Sequence, residues 1–256
     1  MLFRLHSLCA ALLLALFLAV KAGAAPRPIP VKVVVVAMFE PGQDTGDTPG
    51  ELQLWVERDH LDRILPLPAG YHPVRMNRSG EMAVVTGPGT AHAAATIMAL
   101  GLDRRFDFTH AYWIVAGIAG GSPEHISLGS AAWARWVVDG DLGYEIDARE
   151  MPSGWSTGYI PLRKTRPFEE PAAPADNQVY ELNPALVDWA CRLTCSMRLA
   201  DTDKLREIRS QYDGEAAQRP PFVTTGDEIS SSTFWHGKLM DQWAARWVGY
   251  FTGGHG

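Results

Sequence analysis

Cysteine is scarce in this chain of 256 residues, which has only Cys9, Cys191 and Cys195. Cys9 lies in an apolar N-terminal run and would be lost if that run were removed. With two cysteines left, the sequence excludes a disulfide framework and a zinc site built from cysteines. Cys191 and Cys195 are four residues apart in a predicted helix, where a disulfide is strained and rare. We therefore expect two buried or half-buried thiols.

An excess of positive charge is also missing. The formal net charge is −6 at pH 7, and the basic residues form no stripe, so nucleic-acid binding is not expected. The eight histidines show no spacing typical of metal ligands. We predict neither a metal site nor a resident cofactor.

Long apolar runs are confined to the N-terminus, where residues 8–20 follow Arg4 and precede Lys21 and a group of small residues. This pattern predicts a secretory signal over residues 1–24, cleaved after Ala24. The apolar core is shorter than the ~20 residues that a membrane-spanning helix needs, although an uncleaved anchor helix is the alternative. The prediction is a secreted or periplasmic protein without a membrane span.

The remaining residues 25–256 are predicted to form one domain of the α/β class. The β-branched run at residues 31–38 indicates a buried strand. Asn183 before Pro184 is typical of a helix start, with asparagine as the cap and proline in the first turn. Further strands are expected at residues 74–76, 81–86, 110–117, 127–138, 144–148 and 221–225. Helices are expected at residues 50–60, 91–100, 183–199, 202–212 and 239–250, and a solvated loop at residues 167–177.

Two glycine loops each follow a predicted strand. The first, at residues 86–90, precedes an alanine-rich helix, and the second, at residues 116–121, follows an apolar segment. Glycine lets a ligand approach the backbone closely, and open α/β sheets bind ligands at the carboxyl ends of their strands. Ordinary tight turns are the alternative. The loops predict a ligand site formed by Thr86, Gly87, Gly89, Thr90, Gly117, Ala119, Gly120 and Gly121.

The order of these segments resembles the nucleoside phosphorylase and nucleosidase superfamily. Longer motifs are similar to the purine nucleoside permease family, and together they span most of the chain after the signal. They are residues 105–121, residues 144–152, Trp-Ser-Thr-Gly-Tyr-Ile-Pro at 155–161, and Gly-Asp-Glu-Ile-Ser-Ser-Ser-Thr-Phe-Trp-His-Gly at 226–237.

This resemblance implies a three-layer α/β/α, nucleoside-phosphorylase-like fold around a central mixed sheet. It also implies a purine nucleoside as ligand, with phosphate as a co-substrate if the glycosidic bond is cleaved by phosphorolysis. A chain with one cleavable apolar segment is not expected to build a membrane pathway, whatever the family name says.

The resemblance also implies a further segment after Gly256. That segment would carry an acidic motif that grips the ribose and, later, a region near the purine. The sequence contains neither, which predicts a domain incomplete at its C-terminus. We expect such a domain to be poorly soluble or to form homo-oligomers, and to cleave inosine at no more than the background rate.

Four further residues are assigned to the site. Glu40 follows the first predicted strand, where its carboxylate could orient a water molecule. The alternative, which we favour, is that Glu40 is a solvated carboxylate in a turn. Asp227 lies near the base or caps the next turn. Trp235 stacks on a purine or fills a gap in the core, and Ile229 belongs to the same motif.

Two functional classes remain open from the sequence. The first is an enzyme that cleaves an N-glycosidic bond with phosphate or water, for which Glu40 and Asp227 are the catalytic candidates. The second is a non-catalytic component that binds nucleosides and delivers them to a separate transporter, and an inactive remnant is a third outcome. Both glycine loops would serve either class.

Overall fold

The computed structural model describes residues 27–169 and 178–252. The predicted signal, most of the loop predicted at 167–177 and the glycine-rich tail lie outside these residues. The chain divides into an N-terminal unit, which extends to Gly117, and a C-terminal unit, which begins at Ile118. In the described part of the chain, no helix has both the length and the apolar character needed to cross a bilayer.

A five-stranded sheet forms the framework of the N-terminal unit. The strands of this unit are β1 Ile29–Pro30, β2 Val33–Ala37, β3 Arg63–Leu65, β4 Val74–Met76, β5 Glu81–Val85, β6 Phe106–Asp107 and β7 Tyr112–Val115. The sheet has the strand order β3-β4-β5-β2-β7, with β2 parallel to both β5 and β7 and with β3, β4 and β5 antiparallel. A separate parallel pair joins β1 to β6.

Strand β2 lies between β5 and β7, and its β-branched side chains are buried on both faces of the sheet. Val34 and Val36 belong to one apolar cluster, whereas Val35 and Ala37 belong to a second cluster on the opposite face. A strand buried on both faces reads as a continuous apolar run. This is why the strand predicted at residues 31–38 could be recognised from the sequence.

Two helices accompany this sheet, α1 Gln53–Arg58 and α2 Thr90–Gly101. Helix α2 carries no aspartate, glutamate, lysine or arginine and is rich in alanine, the residue with the best helix propensity. It buries Leu100 and Thr96. Alanine propensity and this buried face therefore account for a helix without ion pairs.

The C-terminal unit contains a three-stranded sheet and a separate pair of strands. The strands are β8 Ala131–Asp139, β9 Gly143–Glu145, β10 Tyr159–Pro161, β11 Val179–Glu181 and β12 Val223–Ser230. The sheet has the order β11-β8-β12, in which β12 is parallel and β11 antiparallel to β8. An antiparallel pair joins β9 to β10.

The helices of this unit are α3 Pro184–Thr194, α4 Asp203–Arg209, α5 Glu215–Gln218 and α6 Lys238–Thr252. Helix α6 buries Trp243, Trp247 and Phe251 in one cluster with Val138 of β8. The indole Nε1 of Trp247 donates to the carbonyl oxygen of Asp139 at 3.0 Å. Large aromatic side chains supply most of the apolar surface that this helix buries.

Most predicted elements are present, and the α/β class is confirmed. The helix expected to run through residue 199 ends at Thr194, and the strand expected at 221–225 is instead Val223–Ser230. The short strands β1, β3, β6, β10 and β11 and helix α5 were not predicted, because runs of two to four residues carry no readable periodicity.

The prediction of two free thiols is wrong. Cys191 and Cys195 are joined by a disulfide bond, with their Cα atoms 4.9 Å apart. That separation lies within the range that a disulfide spans. Cys195 is the C-cap of α3, so the bond closes the final turn of a helix and does not cross a helix interior.

Candidate functional site

Three segments of the N-terminal unit begin at one edge of the sheet. Strands β5, β2 and β7 are parallel neighbours, so their carboxyl ends lie side by side. The amide of Thr86 donates to the carbonyl oxygen of Ala37, and that of Ala116 donates to Val36, both at 2.8 Å. The first glycine loop, the segment after β2 and Gly117 therefore start at the same sheet edge.

The first glycine loop needs its glycines for two separate reasons. Gly87 and Gly89 have φ values of +83° and +93°, which only glycine adopts at little cost. A Cβ atom on Gly87 would also lie 2.7 Å from Cδ2 of the Tyr71 ring. The loop backbone is thus in direct contact with an aromatic side chain.

Tyr71 is a site residue that the sequence analysis missed. Its side chain is 54% exposed, and its ring centroid lies 5.5 Å from that of His92 in a tilted arrangement. Nδ1 of His92 donates to the carbonyl oxygen of Pro88 at 2.8 Å. Tyr71 comes from a loop before β4 and has no local pattern, so only the tertiary structure brings it to the glycine loop.

Thr86 supports the loop from inside. It is fully buried, and its hydroxyl donates to the carbonyl oxygen of Gly87 at 3.0 Å. Oγ1 of Thr96 donates to the Thr86 carbonyl at 3.2 Å and accepts from the amide of Tyr71 at 3.2 Å. Thr86 and Thr96 together fix the position of Tyr71 relative to the loop.

Helix α2 starts directly after this loop, at Thr90. Its N-cap is Gly89, which has no side chain with which to cap the helix. The positive end of the helix dipole favours electron-rich groups at this position. The exposed ring of Tyr71 and the amides at the start of α2 therefore lie beside one another.

Glu40 has a structural role in this unit. Its carboxylate accepts hydrogen bonds from the amides of Gly50 at 2.8 Å and Gln53 at 2.9 Å, and also from Leu52. A carboxylate at the start of a helix satisfies amides that have no partner within the helix. The geometry places Glu40 as the cap of α1.

Glu51 is a second carboxylate that the sequence analysis did not single out. Its Oε2 accepts from the amides of Met38 at 2.7 Å and Phe39 at 3.1 Å. A Cβ atom on Gly117 would lie 3.4 Å from Oε1 of Glu51 and 2.2 Å from Cε of Met38. Gly117 therefore packs against the flexible end of the Met38 side chain, just after β2, with Glu51 close by.

The second glycine loop continues into the C-terminal unit. Ala119 and Gly120 are exposed, and a Cβ atom on Gly120 would meet nothing within 4 Å. A Cβ atom on Gly121 would lie 2.3 Å from Cγ2 of Ile126. Of these two glycines, only Gly121 is closely packed within its own unit.

Asp227 lies inside β12, where the pairing with β8 is irregular between Gly226 and Glu228. It caps no turn. Both of its carboxylate oxygens are buried, and no described residue hydrogen-bonds them. Burying a carboxylate without a partner is costly, so this side chain calls for a partner from outside the described residues.

Glu228 is the neighbour of Asp227 on β12. The residue is exposed, but the protein packed around its carboxyl group desolvates that group and raises its pKa above the ordinary value. The surroundings of Glu228 therefore disfavour a negative charge on its side chain.

Ile229 and Trp235 pack against the cluster that α6 covers. The ring of Trp235 meets that of Trp243 edge-on, with centroids 6.0 Å apart. The neighbouring Phe234 is instead 87% exposed. The contacts of Trp235 and Ile229 are those of core residues.

The model of the purine nucleoside permease family matches residues 30–256. A Schizosaccharomyces pombe protein named "Probable purine nucleoside permease" is 34% identical over 181 residues, covering 68% of this chain and 52% of that protein. The Candida albicans "Purine nucleoside permease" is 31% identical over 175 residues, covering 67% of this chain and 43% of that protein. The chain thus spans about half the length of the curated relatives it matches.

Among solved structures, an MTA/SAH nucleosidase of Streptococcus pneumoniae in complex with 8-aminoadenine is similar at 16% identity. The similarity covers 85% of this chain and 72% of that one, with a TM-score of 0.37. The match to the family model, in contrast, covers nearly all residues after the predicted signal. The chain belongs to the purine nucleoside permease family.

Proposed function

We propose that this chain binds purine nucleosides at the glycine loop of its N-terminal unit. The observation that carries the proposal is the exposed ring of Tyr71, which lies against Gly87 near the start of α2. Family membership supplies the ligand class, because the relatives are named purine nucleoside permeases. The base stacks on Tyr71, since every purine presents a π-face to an aromatic ring.

Polar groups around the ring orient the sugar in this proposal. The loop amides donate to ribose hydroxyl oxygens, and Glu51, adjacent to Gly117, accepts from a ribose hydroxyl. The loop at residues 86–90 carries no lysine or arginine, so it has no charge-assisted donor for a phosphate monoester. A nucleoside is therefore preferred to the corresponding nucleotide.

Calorimetry with adenosine, inosine and AMP tests this function. Adenosine or inosine should bind more tightly than AMP, and Tyr71→Ala should weaken nucleoside binding about tenfold, the value of one lost base–aromatic stack. Tyr212→Ala is the matched control, because Tyr212 is a partly exposed tyrosine of the C-terminal unit. Tighter binding of AMP, or equal losses in the two variants, would contradict the proposal.

Cleavage of the N-glycosidic bond is a second candidate function, favoured by one observation. The buried carboxyl group of Asp227 has no partner among the described residues, and an acid held in this way is suited to hydrogen-bond a leaving base. Release of free base from inosine, measured with and without phosphate, separates phosphorolysis, hydrolysis and binding alone. If no base is released, the remaining proposal is that the chain delivers bound nucleosides to a separate transporter.

The proposal also includes export of the chain. The basic residue Arg4, the apolar residues 8–20 and the small residues before Pro26 support a secretory signal. N-terminal sequencing of the protein recovered from the periplasm or medium should begin at Ala25. Recovery of an intact Met1 from those fractions would contradict cleavage.

A further inference from the structure

The disulfide between Cys191 and Cys195 joins no separate parts of the fold. It spans one turn whose backbone is already hydrogen-bonded, since the amide of Cys195 donates to the carbonyl oxygen of Cys191 at 2.7 Å. A covalent loop this short removes little entropy from the unfolded chain compared with a long loop. The bond is thus poorly placed to stabilise the domain.

Other contacts attach α3 to its sheet. Nε1 of Trp133 donates to Oγ1 of Thr194 at 2.8 Å, and Nη2 of Arg135 donates to Oδ1 of Asp188 at 2.7 Å. These contacts come from β8 and lie on either side of Cys191 along the helix. They do not involve sulfur, so the helix would keep its place when the disulfide is opened.

Both cysteines are accessible. They are partly exposed and line an open groove of about 570 Å³ together with Arg135, Asp188, Arg192 and Thr225. Arg135 is paired with Asp188, whereas Arg192 forms no ion pair with any described residue. A guanidinium group beside a cysteine pair favours the thiolate, which is the reactive form, and also attracts a carboxylate.

From this placement we propose that Cys191 and Cys195 form a redox-active pair that exchanges with small thiols bearing carboxylates, Arg192 being the group that attracts them. A thiolate attacks one sulfur, the Cys191–Cys195 bond breaks, and the other cysteine leaves as a thiolate. A second small thiolate then attacks the mixed disulfide and releases the second cysteine. The balance is one protein disulfide and two small thiols giving two protein thiols and one small disulfide.

The test uses the full chain in glutathione redox buffers, with trapping by alkylation and peptide mass spectrometry, which separates Cys9 from the pair. Cysteamine, a thiol without a carboxylate, is the matched probe. The pair should open and close reversibly while the circular dichroism spectrum stays unchanged. Cys195→Ser should retain a mixed disulfide on Cys191, because the second cysteine that would displace the small thiol is gone.

Arg192→Gln distinguishes a built site from general thiol reactivity. It should slow reaction with glutathione about threefold through loss of electrostatic attraction, while the rate with cysteamine stays the same or rises. Three results would overturn the proposal: a disulfide that opens only in denaturant, free thiols that persist in the oxidised buffer, or rates for the two probes that change equally in the variant.

Discussion

Glu40 and Glu51 each cap the segment that carries the other. The carboxylate of Glu40 accepts amide hydrogens from Gly50 and Leu52, which flank Glu51, and Glu51 accepts from Met38 and Phe39, which precede Glu40. The two acids close the loop between β2 and α1 with hydrogen bonds to charged acceptors, which are stronger than neutral ones. These reciprocal hydrogen bonds give Glu40 a role in stability that does not depend on a role in catalysis.

Replacement of Glu40 should therefore lower stability. Glu40→Ala leaves three amides without their acceptor and should reduce the free energy of unfolding by about 2 kcal/mol. Glu40→Gln keeps one acceptor oxygen and should have a smaller effect. Urea unfolding measures both, with the exposed Glu207→Gln as control. A Glu40→Ala protein as stable as the wild type would show that the cap contributes nothing.

Gly87 and Gly120 should respond differently to alanine. Gly87→Ala places a Cβ against the Tyr71 ring at a positive φ, which costs about 1–2 kcal/mol from backbone strain alone. Gly120→Ala meets no atom within 4 Å and should change stability by less than about 0.5 kcal/mol. Thermal unfolding of the two variants measures this difference. Equal losses of stability in Gly87→Ala and Gly120→Ala would exclude the steric explanation.

Asp227→Asn should raise stability and, if Asp227 takes part in cleavage of the glycosidic bond, slow the release of free base. The change removes the charge from a buried group without a partner, so the free energy of unfolding should increase by about 1 kcal/mol. Base release should also fall at least about a hundredfold if the carboxyl group of Asp227 contacts the leaving base, because an amide neither gives up nor takes up a proton. The exposed Asp213→Asn is the control, and a destabilised Asp227→Asn protein would reveal a partner for this carboxylate.

Glu228 should make stability depend on pH. Its pKa is higher in the folded chain than its ordinary value of 4.5, so the folded state holds the proton more tightly than the unfolded state. The contribution of Glu228 to stability is therefore present below about pH 4.5 and is lost as pH rises through the raised pKa. Glu228→Gln should match the wild type at pH 4 and exceed its urea midpoint at pH 7, whereas a constant difference at both pH values would contradict this.

The core under α6 offers a test of packing. Trp247 is 3% exposed and its indole is hydrogen-bonded, whereas Trp189 on α3 is 55% exposed. Trp247→Ala should destabilise the chain by about 3–5 kcal/mol, and Trp189→Ala by less than about 1 kcal/mol. Chemical denaturation followed by tyrosine fluorescence or circular dichroism would detect the contrast. Similar losses would mean that the cluster around Val138 is not the core of this unit.

Elements with a strong local pattern were predictable from the sequence. The run of valines predicted β2, and Asn183 before Pro184 predicted the start of α3. At that start, Oδ1 of Asn183 accepts a hydrogen bond from the amide of Leu186 at 3.2 Å. Tyr71 and Glu51 were missed, because they reach the glycine loop and the end of β2 from distant parts of the chain. The disulfide was missed because its formation depends on where α3 ends.

Helix α2 has a further consequence for measurements in salt. Histidine is the only titratable side chain among residues 90–101, so added salt has almost no side-chain charge to screen there. Helix α6 instead carries Lys238, Asp241 and Arg246. Amide hydrogen exchange of α2 should therefore keep the same protection from low to high ionic strength, and this helix can serve as an internal reference for salt effects elsewhere in the chain.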